Sequence, residues 1–509
     1  MSSWTTTYIK TANIDKANRG FALSALEKAL VFVQDAVADI KWQSLQSLAR
    51  TTILKALANV RRGELQVVCG KESWSFGAPY VLTSDGYSKP LKATIRIMDP
   101  SVWTRLFLHA DFGFAGTSET FMIVICILDE DLIDAYMLGL VEVSALTDVF
   151  QIFVLNRKQL SELSTLVSPM FRFMSYVSNF RLANRILGSK SNISAHYDLS
   201  NDIFAGFLSW DMTYSCAIFD DEAGGCTGDL REERFIAPPR DHQLEERKFL
   251  PDDLERGQLA KLHLLAKRAR ITKGSRVLEI GSGWGSFAIL VASKYGATVD
   301  AITISEVQKI ALEENIKAAG LSHVITVHLM DYRDMPESFH QAFDAVVSIG
   351  VMEHGIEFMD RWFEQMSWAM KAEDSFNAFT MSTVPDTRWK MYSTEVDFVR
   401  KYIYPGGQLS SVATLVEACC KAGLNIESIE NIGPHYARTL REWRYRFERN
   451  FESHIMPALK RQYPSLAPED VEIFQRKWIY YFAYSEAGFS LHSVSDHVFT
   501  LTREANLRL

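Results

Sequence analysis

The stretch "VLEIGSGWGSF", residues 277–287, decides the fold. A short apolar run typical of a buried strand passes directly into glycines and then into the apolar helical pattern "SFAILVASKYG". Glycines at 281, 283 and 285 leave room beside the backbone N–H groups at the start of that helix, so a ligand can approach the main chain there. The stretch therefore predicts a cofactor-binding turn between a strand and a helix.

The spacing of these glycines discriminates between cofactors. A dinucleotide fingerprint needs a third glycine at position 286, where this chain has Ser286, and G-x-G-x-G suits S-adenosylmethionine better than NAD. The next strand ends in Thr303, not in the carboxylate that would bind an NAD ribose. Asp300 lies in mid-strand, out of phase, and is predicted to face the other side of the sheet. For Gln308 two interpretations stay open, a helix cap and a ligand contact.

The residues after this turn repeat the same alternation of strand and helix. Residues 305–320 predict a helix, with Ser305 and Gln308 as a capping box and Gly320 as its C-terminal stop. The predicted strands span residues 275–280, 297–303, 323–329, 343–349 and 496–502. This order predicts an α/β fold, a Rossmann-like doubly wound sheet. Residues 385–490 are aromatic-rich and predict helical insertions with a turn at 405–407.

Residues 1–185 show a different, mixed pattern without a catalytic motif. Helical residues 22–40 stand beside strand-like stretches at 63–70 and 92–99. The most apolar run, "FMIVICIL" at 121–128, is too short to span a bilayer and predicts a buried strand. We therefore predict a smaller N-terminal α+β domain at 1–185 and the sheet domain at 186–509. Charged, Gly- and Pro-containing residues 220–257 predict a surface insertion.

Composition limits the classes of function. The chain has 509 residues, 47% of them hydrophobic and 23% charged, with a net charge of −8 and a pI near 5.9. This acidic balance argues against a nucleic-acid binder. Six cysteines without a CxxC pair indicate neither a metal site nor a disulfide framework. The N-terminus lacks a signal-peptide core, so we expect a cytoplasmic protein that is soluble or peripheral at a membrane.

A second unusual stretch is "HYDLSNDIFAGFLSWDMTYSCAIF", residues 196–219. It mixes His, Tyr, Asp, Asn and a single Cys with Phe and Trp, and shows neither a helical stripe nor a strand alternation. Polar side chains are unfavourable in a plain apolar core but common in the wall of a ligand pocket. The stretch therefore predicts a pocket wall.

These two stretches, with five further pieces in the same order, resemble the cyclopropane-fatty-acid synthase family of S-adenosylmethionine-dependent lipid methyltransferases. The matching pieces are "HYDLSNDIF", "MTYSCAIF", "VLEIGSGWGSFA", "ITIS", "SIGVMEH", "KYIYPGG", "IGPHYARTLREW" and "YYFAYSEAGF". They span about residues 186–502, whereas residues 90–150 resemble the family's N-terminal domain only weakly.

The resemblance implies roles for individual residues. The cofactor-binding set would be Tyr214, Ser215, Gly281, Gly283, Thr303, Ile304, Gln308 and Tyr332. A bound bicarbonate beside the methyl group would be surrounded by Cys216, Glu353 and Tyr436, and His196 and Thr380 complete the candidate catalytic set. The implied acceptor is an unsaturated fatty acyl chain of a phospholipid. Peripheral membrane contact and a homodimer are further expectations.

Each catalytic assignment has a structural alternative that stays open. Free cysteine is among the most buried residue types, so Cys216 could be a small core residue. Glu353, at a strand's carboxyl end, could form a salt bridge or a favourable charge at the start of a helix near 356. Tyr436 could be a packed aromatic side chain.

The chain departs from the family's pattern on one strand. Thr380 stands where the family has His or Gln, Ser382 stands where it has Ile, and Ser485 replaces a common Cys. Two further hypotheses follow. The enzyme would methylate another acceptor (a sphingoid, sterol-like or polyketide compound or an amine), or the protein would bind cofactor or lipid without catalysis.

Overall fold

The computed structural model describes residues 42–82, 88–109, 132–161, 199–230, 252–354, 359–394, 397–405, 407–504 and 506. The helix predicted at 22–40, the strand predicted at 121–128 and the domain boundary predicted at 185 lie outside these residues. No helix in the described ranges is long and apolar enough to cross a membrane.

The described residues before 162 form a small α+β unit. Its strands are β1 (Gly63–Cys69), β2 (Glu72–Ala78), β3 (Tyr80–Leu82), β4 (Ser88–Pro90), β5 (Lys92–Ile97) and β6 (Val141–Val143). Its helices are α1 (Trp42–Leu57), α2 (Ser101–His109), α3 (Leu132–Met137), α4 (Leu146–Leu155) and α5 (Arg157–Ser161). Four strands form a sheet in the order β2-β1-β5-β6, with β1 and β5 parallel, and β3 pairs with β4 alone. The strands predicted at 63–70 and 92–99 are confirmed.

A seven-stranded sheet forms the centre of the rest of the chain. Its strands are β7 (Arg276–Ile280), β8 (Thr298–Thr303), β9 (Ile325–Leu329), β10 (Ala345–Ile349), β11 (Phe376–Thr383), β12 (Asn425–Asn431) and β13 (Ser495–Thr502). The order is β12-β13-β11-β10-β7-β8-β9. The five strands from β11 to β9 run parallel, and β13 lies antiparallel between β11 and β12. The last strand therefore enters the sheet next to its edge.

Helices cover both faces of this sheet. The helices of this part are α6 (Asn201–Ala205), α7 (Asp253–Arg268), α8 (Ser286–Tyr295), α9 (Glu306–Ala318), α10 (Met359–Ala369), α11 (Asp386–Tyr392), α12 (Val412–Lys421), α13 (Gly433–Asn450), α14 (Met456–Gln462) and α15 (Pro468–Ser490). Helices α7, α8 and α9 pack on one face, and α10 and α12 on the other. Burial on both faces explains why apolar residues of β7 and β10 point to both sides of the sheet, with Val277 and Val347 on one face and Leu278 and Val346 on the other. The predicted Rossmann-like doubly wound sheet is confirmed.

The helical insertion adds an aromatic layer beside the sheet. Helices α13 and α15 pack along each other and enclose Phe207, whose ring lies 5.5 Å from Phe482 and 5.6 Å from Trp478 between ring centroids. The N-terminal unit packs on the same layer, with the Phe150 and Tyr480 ring centroids 5.0 Å apart. The aromatic residues of 385–490 thus join the two parts of the chain.

Phe207 is the centre of this layer, and its removal should be costly. The ring is fully buried and contacts the rings of Trp443 and Phe447 as well. We expect Phe207→Ala to lower the free energy of unfolding by about 3–5 kcal/mol, because the cavity is enclosed by rings that cannot collapse into it. Urea unfolding followed by far-UV circular dichroism measures the change. Phe207→Leu should lose clearly less, and equal losses for both variants would contradict the cavity explanation.

The surface insertion at 220–257 stays a prediction, but both of its described ends make internal ion pairs with α13. Residues 225–230 form a short 3-10 helix whose Asp229 is buried and binds Arg441 through Nε at 2.5 Å. The other end belongs to α7, where Asp253 accepts a hydrogen bond from the fully buried Arg438 at 2.6 Å. Charge in this segment is therefore used for internal ion pairs. Residues 231–251 lie outside the described ranges.

Candidate active site

The glycine turn between β7 and α8 is shaped partly for packing and partly for a ligand. Gly281, Gly283 and Gly285 all have positive φ, at 80°, 52° and 94°. A Cβ on Gly281 would lie 2.2 Å from Val351 Cγ2, and one on Gly285 would lie 2.1 Å from Leu312 Cδ1. A Cβ on Gly283 would meet no atom within 4 Å. Gly283 therefore borders open space that a side chain would fill.

Hydrogen bonds hold this turn against the next strand. The N–H groups of Gly281 and Ser282 both donate to the carbonyl of Ile302, at 2.9 and 3.1 Å. Trp284 Nε1 donates to Asn201 Oδ1 at 2.9 Å, which ties the "SNDIF" segment to the turn. The turn is therefore fixed before a ligand arrives.

The residues after β8 build the next side of the site. Thr303 is buried, and its hydroxyl donates to Gln308 Oε1 at 3.1 Å. Ser305 caps α9 by accepting from the Gln308 N–H at 3.2 Å. The cap is confirmed, but the Gln308 side chain turns to Thr303, so the reciprocal half of the capping box is wrong. Ile304 is 79% exposed.

Two further observations concern the ribose and adenine side. Asp300 forms hydrogen bonds with Arg276 Nε at 3.0 Å and with His328 Nε2 at 2.8 Å. These contacts agree with the prediction that Asp300 does not face the ribose. Tyr332, in the turn after β9, packs edge-on against Trp362 with ring centroids 4.7 Å apart. The packing fixes the ring of Tyr332 at the carboxyl edge of the parallel strands, where open α/β sheets bind ligands.

The "TYSC" segment is fixed against three helices. Thr213 Oγ1 donates to Ser286 Oγ at 3.0 Å, at the start of α8. Lys261 Nζ of α7 donates to Ser215 Oγ at 2.8 Å, and the Ala217 N–H donates to Thr439 Oγ1 of α13 at 3.1 Å. These bonds bring the predicted cofactor contacts at 214 and 215 beside the glycine turn.

Lys261 is a site residue that the sequence interpretation missed. Its side chain is fully buried, and burial lowers the pKa of its ammonium group to about 8 despite the nearby Asp211 and Asp496. Gln258, one turn earlier on α7, donates to the Ser215 carbonyl at 2.8 Å. The sequence indicated that Lys261 is buried, because Gln258 and Lys261 lie on the same helical face as the buried Leu262 and Leu265.

Three tyrosine hydroxyls converge in the apolar part of the site. Tyr404 donates to Tyr214, and Tyr481 lies 3.4 Å from both of these oxygens. Burial raises the pKa of each of these hydroxyls above the usual range for tyrosine. Tyr436 stacks on Phe489 at 4.5 Å between ring centroids, and burial likewise raises its pKa. The wall is aromatic and its hydroxyls are neutral.

Glu353 lies at the carboxyl edge of the sheet, just after β10. Its Oε1 accepts a hydrogen bond from the Ser382 N–H at 2.9 Å. Its Oε2 is buried and has no hydrogen-bond partner among the described residues. Burial raises the pKa of this carboxyl to about 7. Glu353 forms no salt bridge with the residues that the structure describes, and its buried Oε2 can accept a hydrogen bond from a ligand or a water.

Cys216 is placed as a weak hydrogen-bond donor. The thiol is buried and lies 3.3 Å from the Ala217 carbonyl and 3.6 Å from the Ile432 carbonyl. Burial raises its pKa well above the usual range. A neutral buried thiol is a poor nucleophile, so this site offers no covalent catalysis through Cys216.

The strand with the departures from the family pattern borders the same cluster. Thr380 and Ser382 share the face of β11 that carries Ala378, on the side of Cys216 and Val498. Ser382 Oγ donates to Asp496 Oδ1 of β13 at 3.3 Å. The structure thus brings Ser382 and Asp496 to Glu353, whereas His196 lies outside the described residues.

Glu279 and Asp496 are the other charged residues that sequence interpretation missed. Both are buried on the same face of the sheet, and burial raises the pKa of each carboxyl to about 8. Asp496 is in phase with the apolar Val498 on its strand, which could have identified it as an inward-facing acid. Across the described ranges, no group of three or more His, Cys, Asp or Glu side chains could hold a metal ion.

The raised pKa of Glu353 predicts how stability depends on pH. Between about pH 4.5 and 7 the unfolded state has lost a proton that the folded state keeps, so the buried acid destabilises the fold increasingly as the pH rises. Glu353→Gln removes this penalty. We expect the variant to be more stable above pH 7, by about 3 kcal/mol at most, and equally stable below pH 4.5. Urea titrations at several pH values measure this, and a variant less stable at pH 8 would contradict it.

Comparison with known proteins places this geometry in one family. Residues 187–498 match the mycolic acid cyclopropane synthetase family. A tuberculostearic acid methyltransferase of Mycobacterium tuberculosis is 33% identical over 318 residues, 62% of this chain and 66% of that protein. The cyclopropane-fatty-acyl-phospholipid synthase of Escherichia coli is 32% identical over 289 residues, 56% of this chain and 61% of that protein. The chain thus matches less than two thirds of the length of each.

A third relative and a solved structure extend the comparison. A sphingolipid C9-methyltransferase of Candida albicans is 30% identical over 260 residues, 50% of this chain and 45% of that protein. The solved structure of the cyclopropane synthase MmaA2 from Mycobacterium tuberculosis aligns with a TM-score of 0.47 and 24% identity, over 61% of this chain and 97% of that one.

Proposed function

Because the chain belongs to the mycolic acid cyclopropane synthetase family, we propose that it transfers a methyl group from S-adenosylmethionine to the double bond of an unsaturated fatty acyl chain in a phospholipid, forming a cyclopropane ring. The observation that carries the proposal is the proximity of two features. Val351, two residues before Glu353, lies against Gly281 of the glycine turn, so the turn and the buried Oε2 of Glu353 belong to the same carboxyl edge of the sheet.

The residues of the turn fit the proposed cofactor. The space at Gly283 admits the amino-acid part of S-adenosylmethionine beside backbone N–H groups at the start of α8. Ser215 and Tyr214 would border it from one side, and Thr303 and Tyr332 from the ribose and adenine side. When bound, the cofactor supplies an electrophilic methyl group. The chain itself provides position and exclusion of water.

The walls of the site suit a cationic lipid chain. Attack by the alkene on the methyl group leaves a positive charge on the acyl chain, which aromatic faces such as those of Tyr436 and Phe489 stabilise. Neutral tyrosine hydroxyls and a neutral Cys216 do not compete as nucleophiles for this cation. The remaining requirement is a base that removes one proton.

Bicarbonate, the base that the resemblance implies, does not fit the residues present. The His or Gln donor is replaced by the shorter Thr380, and the neighbouring Ile is replaced by Ser382, which carries a bond to the Asp496 carboxylate. The site therefore has one strong donor fewer, and two buried carboxyl groups lie beside it. An added anion would make the ionisation of either carboxyl still less favourable, because buried like charges repel.

A labelling experiment tests the proposed function. Purified protein is incubated with methyl-labelled S-adenosylmethionine and vesicles of dioleoyl phospholipid, with distearoyl phospholipid as the control. We expect label in the acyl chains of the unsaturated lipid alone, and gas chromatography to identify a ring. A methyl branch would point to the chemistry that the name of the M. tuberculosis relative states. No label in any acyl chain, with label on a sphingoid, sterol-like, polyketide or amine acceptor, would contradict the lipid assignment.

Membrane contact and oligomeric state follow only as expectations from this proposal. An acyl chain in a bilayer must be reached from the membrane surface, so we expect peripheral binding to the same vesicles. Sedimentation of protein with vesicles measures it. The homodimer stays a prediction, which light scattering can test.

A further inference from the structure

Asp496 is buried where the proposed function needs a base. It lies on β13 directly opposite Ser382 on β11 and is 3% exposed. Ser382 joins the two acids of the site, since its hydroxyl donates to Asp496 Oδ1 at 3.3 Å and its N–H donates to Glu353 Oε1 at 2.9 Å. Ser382 therefore holds the carboxyl groups of Glu353 and Asp496, which belong to two different elements, close together.

Asp496 is also linked to the other catalytic candidates. Its backbone carbonyl accepts from the Ile432 N–H at 2.8 Å, and the Ile432 carbonyl lies 3.6 Å from the Cys216 thiol. The ionisable groups that act on it come from four other elements. They are Glu353 after β10, Lys261 on α7, Cys216 in the "TYSC" segment and Tyr436 on α13. Asp496 therefore lies in one cluster with Cys216, Glu353 and Tyr436. Thr380, the remaining described catalytic candidate, lies on the same strand as Ser382.

A purely structural role accounts poorly for a carboxylate at this position. A neutral asparagine would accept the Ser382 hydrogen bond equally well, without a second buried acid next to Glu353. Buried acidic groups close together destabilise a fold, and such perturbed groups cluster at functional sites. The arrangement indicates a chemical use of the carboxylate.

We propose that the Asp496 carboxylate removes the proton from the methylated, cationic acyl chain, in the place that a free anion would otherwise occupy. This inference rests on the proposed function. The alkene forms a C–C bond to the methyl carbon as the C–S bond breaks and neutral S-adenosylhomocysteine is released. Asp496 then takes one proton from the former methyl group, and the C–H electron pair closes the ring. The proton returns to solvent from Asp496 after the product leaves.

The protonation behaviour of Asp496 agrees with this role. Burial, assisted by Glu353, raises the pKa of Asp496 to about 8, while Ser382 and Lys261 oppose the rise. A base whose pKa lies near the working pH combines an available ionised form with useful basicity. Turnover should therefore rise with pH up to about pH 8, as Asp496 loses its proton.

The test compares three changes on one strand in buffer freed of carbon dioxide. Asp496→Asn keeps the shape and removes the base, Asp496→Ala leaves space for an added carboxylate, and Thr500→Val is the matched control. Thr500 is buried on the same face of β13, four residues further along, and its hydroxyl has no partner among the described residues. Thermal unfolding and calorimetry with S-adenosylmethionine confirm that each variant folds and binds cofactor.

We expect wild type and Thr500→Val to form rings at the same rate with or without added bicarbonate. Asp496→Asn should lose at least about 100-fold in ring formation, within the usual contribution of a general base. Among its remaining products, methylated chains that captured water should rise relative to cyclopropanes. Sodium formate should restore Asp496→Ala by at least about tenfold, a gain that a structural role would not give.

The outcomes separate the two proposals. Wild type that makes rings only with bicarbonate, or Asp496→Asn within about threefold of wild type, would overturn the role of Asp496 and leave the proposed function standing. Wild type that labels no lipid under any of these conditions would reject the proposed function and this inference together.

Discussion

Replacing Gly283 with valine should abolish detectable binding of S-adenosylmethionine. Of the three turn glycines, Gly283 is the one whose Cβ would enter open space and not a neighbouring side chain. A valine there would place its methyl groups where the cofactor approaches the backbone. We expect the dissociation constant to rise at least about 100-fold, close to 3 kcal/mol. Isothermal titration calorimetry with the cofactor measures it.

Gly274 provides the control for this substitution. Valine at a position of positive φ strains the backbone wherever it occurs, so a loss of binding alone would not identify the ligand space. Gly274 also has positive φ, at 86°, and its Cβ would also meet nothing within 4 Å, but it precedes β7 at the opposite end of that strand. Gly274→Val should share the strain and keep the affinity. Equal affinity for both variants would contradict a cofactor at Gly283.

The local pattern of the sequence was sufficient to predict this part of the site. Strand, glycines and helix are consecutive in the chain, and the structure places β7 and α8 where the pattern predicted them. Residues that are close together in the chain decide such features. The alternation of side chains predicts the strand, the absent Cβ atoms of the glycines predict the turn, and the helical spacing of apolar residues predicts the helix. The family resemblance then identified Glu353 as a candidate, just after β10, the strand that pairs with β7.

The second carboxylate could not be predicted in the same way. Asp496 meets Ser382 only because β13 pairs antiparallel with β11, in a register that joins residues 114 apart in the chain. The alternation of β13 could show that Asp496 points inward but not which strand it faces. The ion pairs at the described ends of the predicted insertion could not be predicted for a related reason. Their charges are satisfied by arginines of α13, more than 180 residues away.

The largest expected loss of turnover outside the Asp496 series is at Glu353. We expect Glu353→Gln to lower kcat about 100- to 1,000-fold, the usual cost of removing one electrostatic stabiliser of the transition state, while the affinity for S-adenosylmethionine changes less than about twofold. The glutamine keeps the hydrogen bond from the Ser382 N–H but removes the negative charge that the unpartnered Oε2 directs into the site. Single-turnover labelling of dioleoyl phospholipid and calorimetry with the cofactor measure the two quantities separately.

Glu486 is the matched control, since it is a buried carboxylate that has partners. It accepts from Thr147 Oγ1 at 2.8 Å and pairs with Arg444 at 3.2 Å, between α15 and the N-terminal unit. Glu486→Gln leaves that half-buried arginine without its full counter-charge, so it should lower stability and keep the turnover of the folded fraction. Glu353→Gln should do the reverse, with stability raised above pH 7 and turnover lost. If both variants lost stability and turnover together, Glu353 would be a structural acid and the proposed site would be wrong.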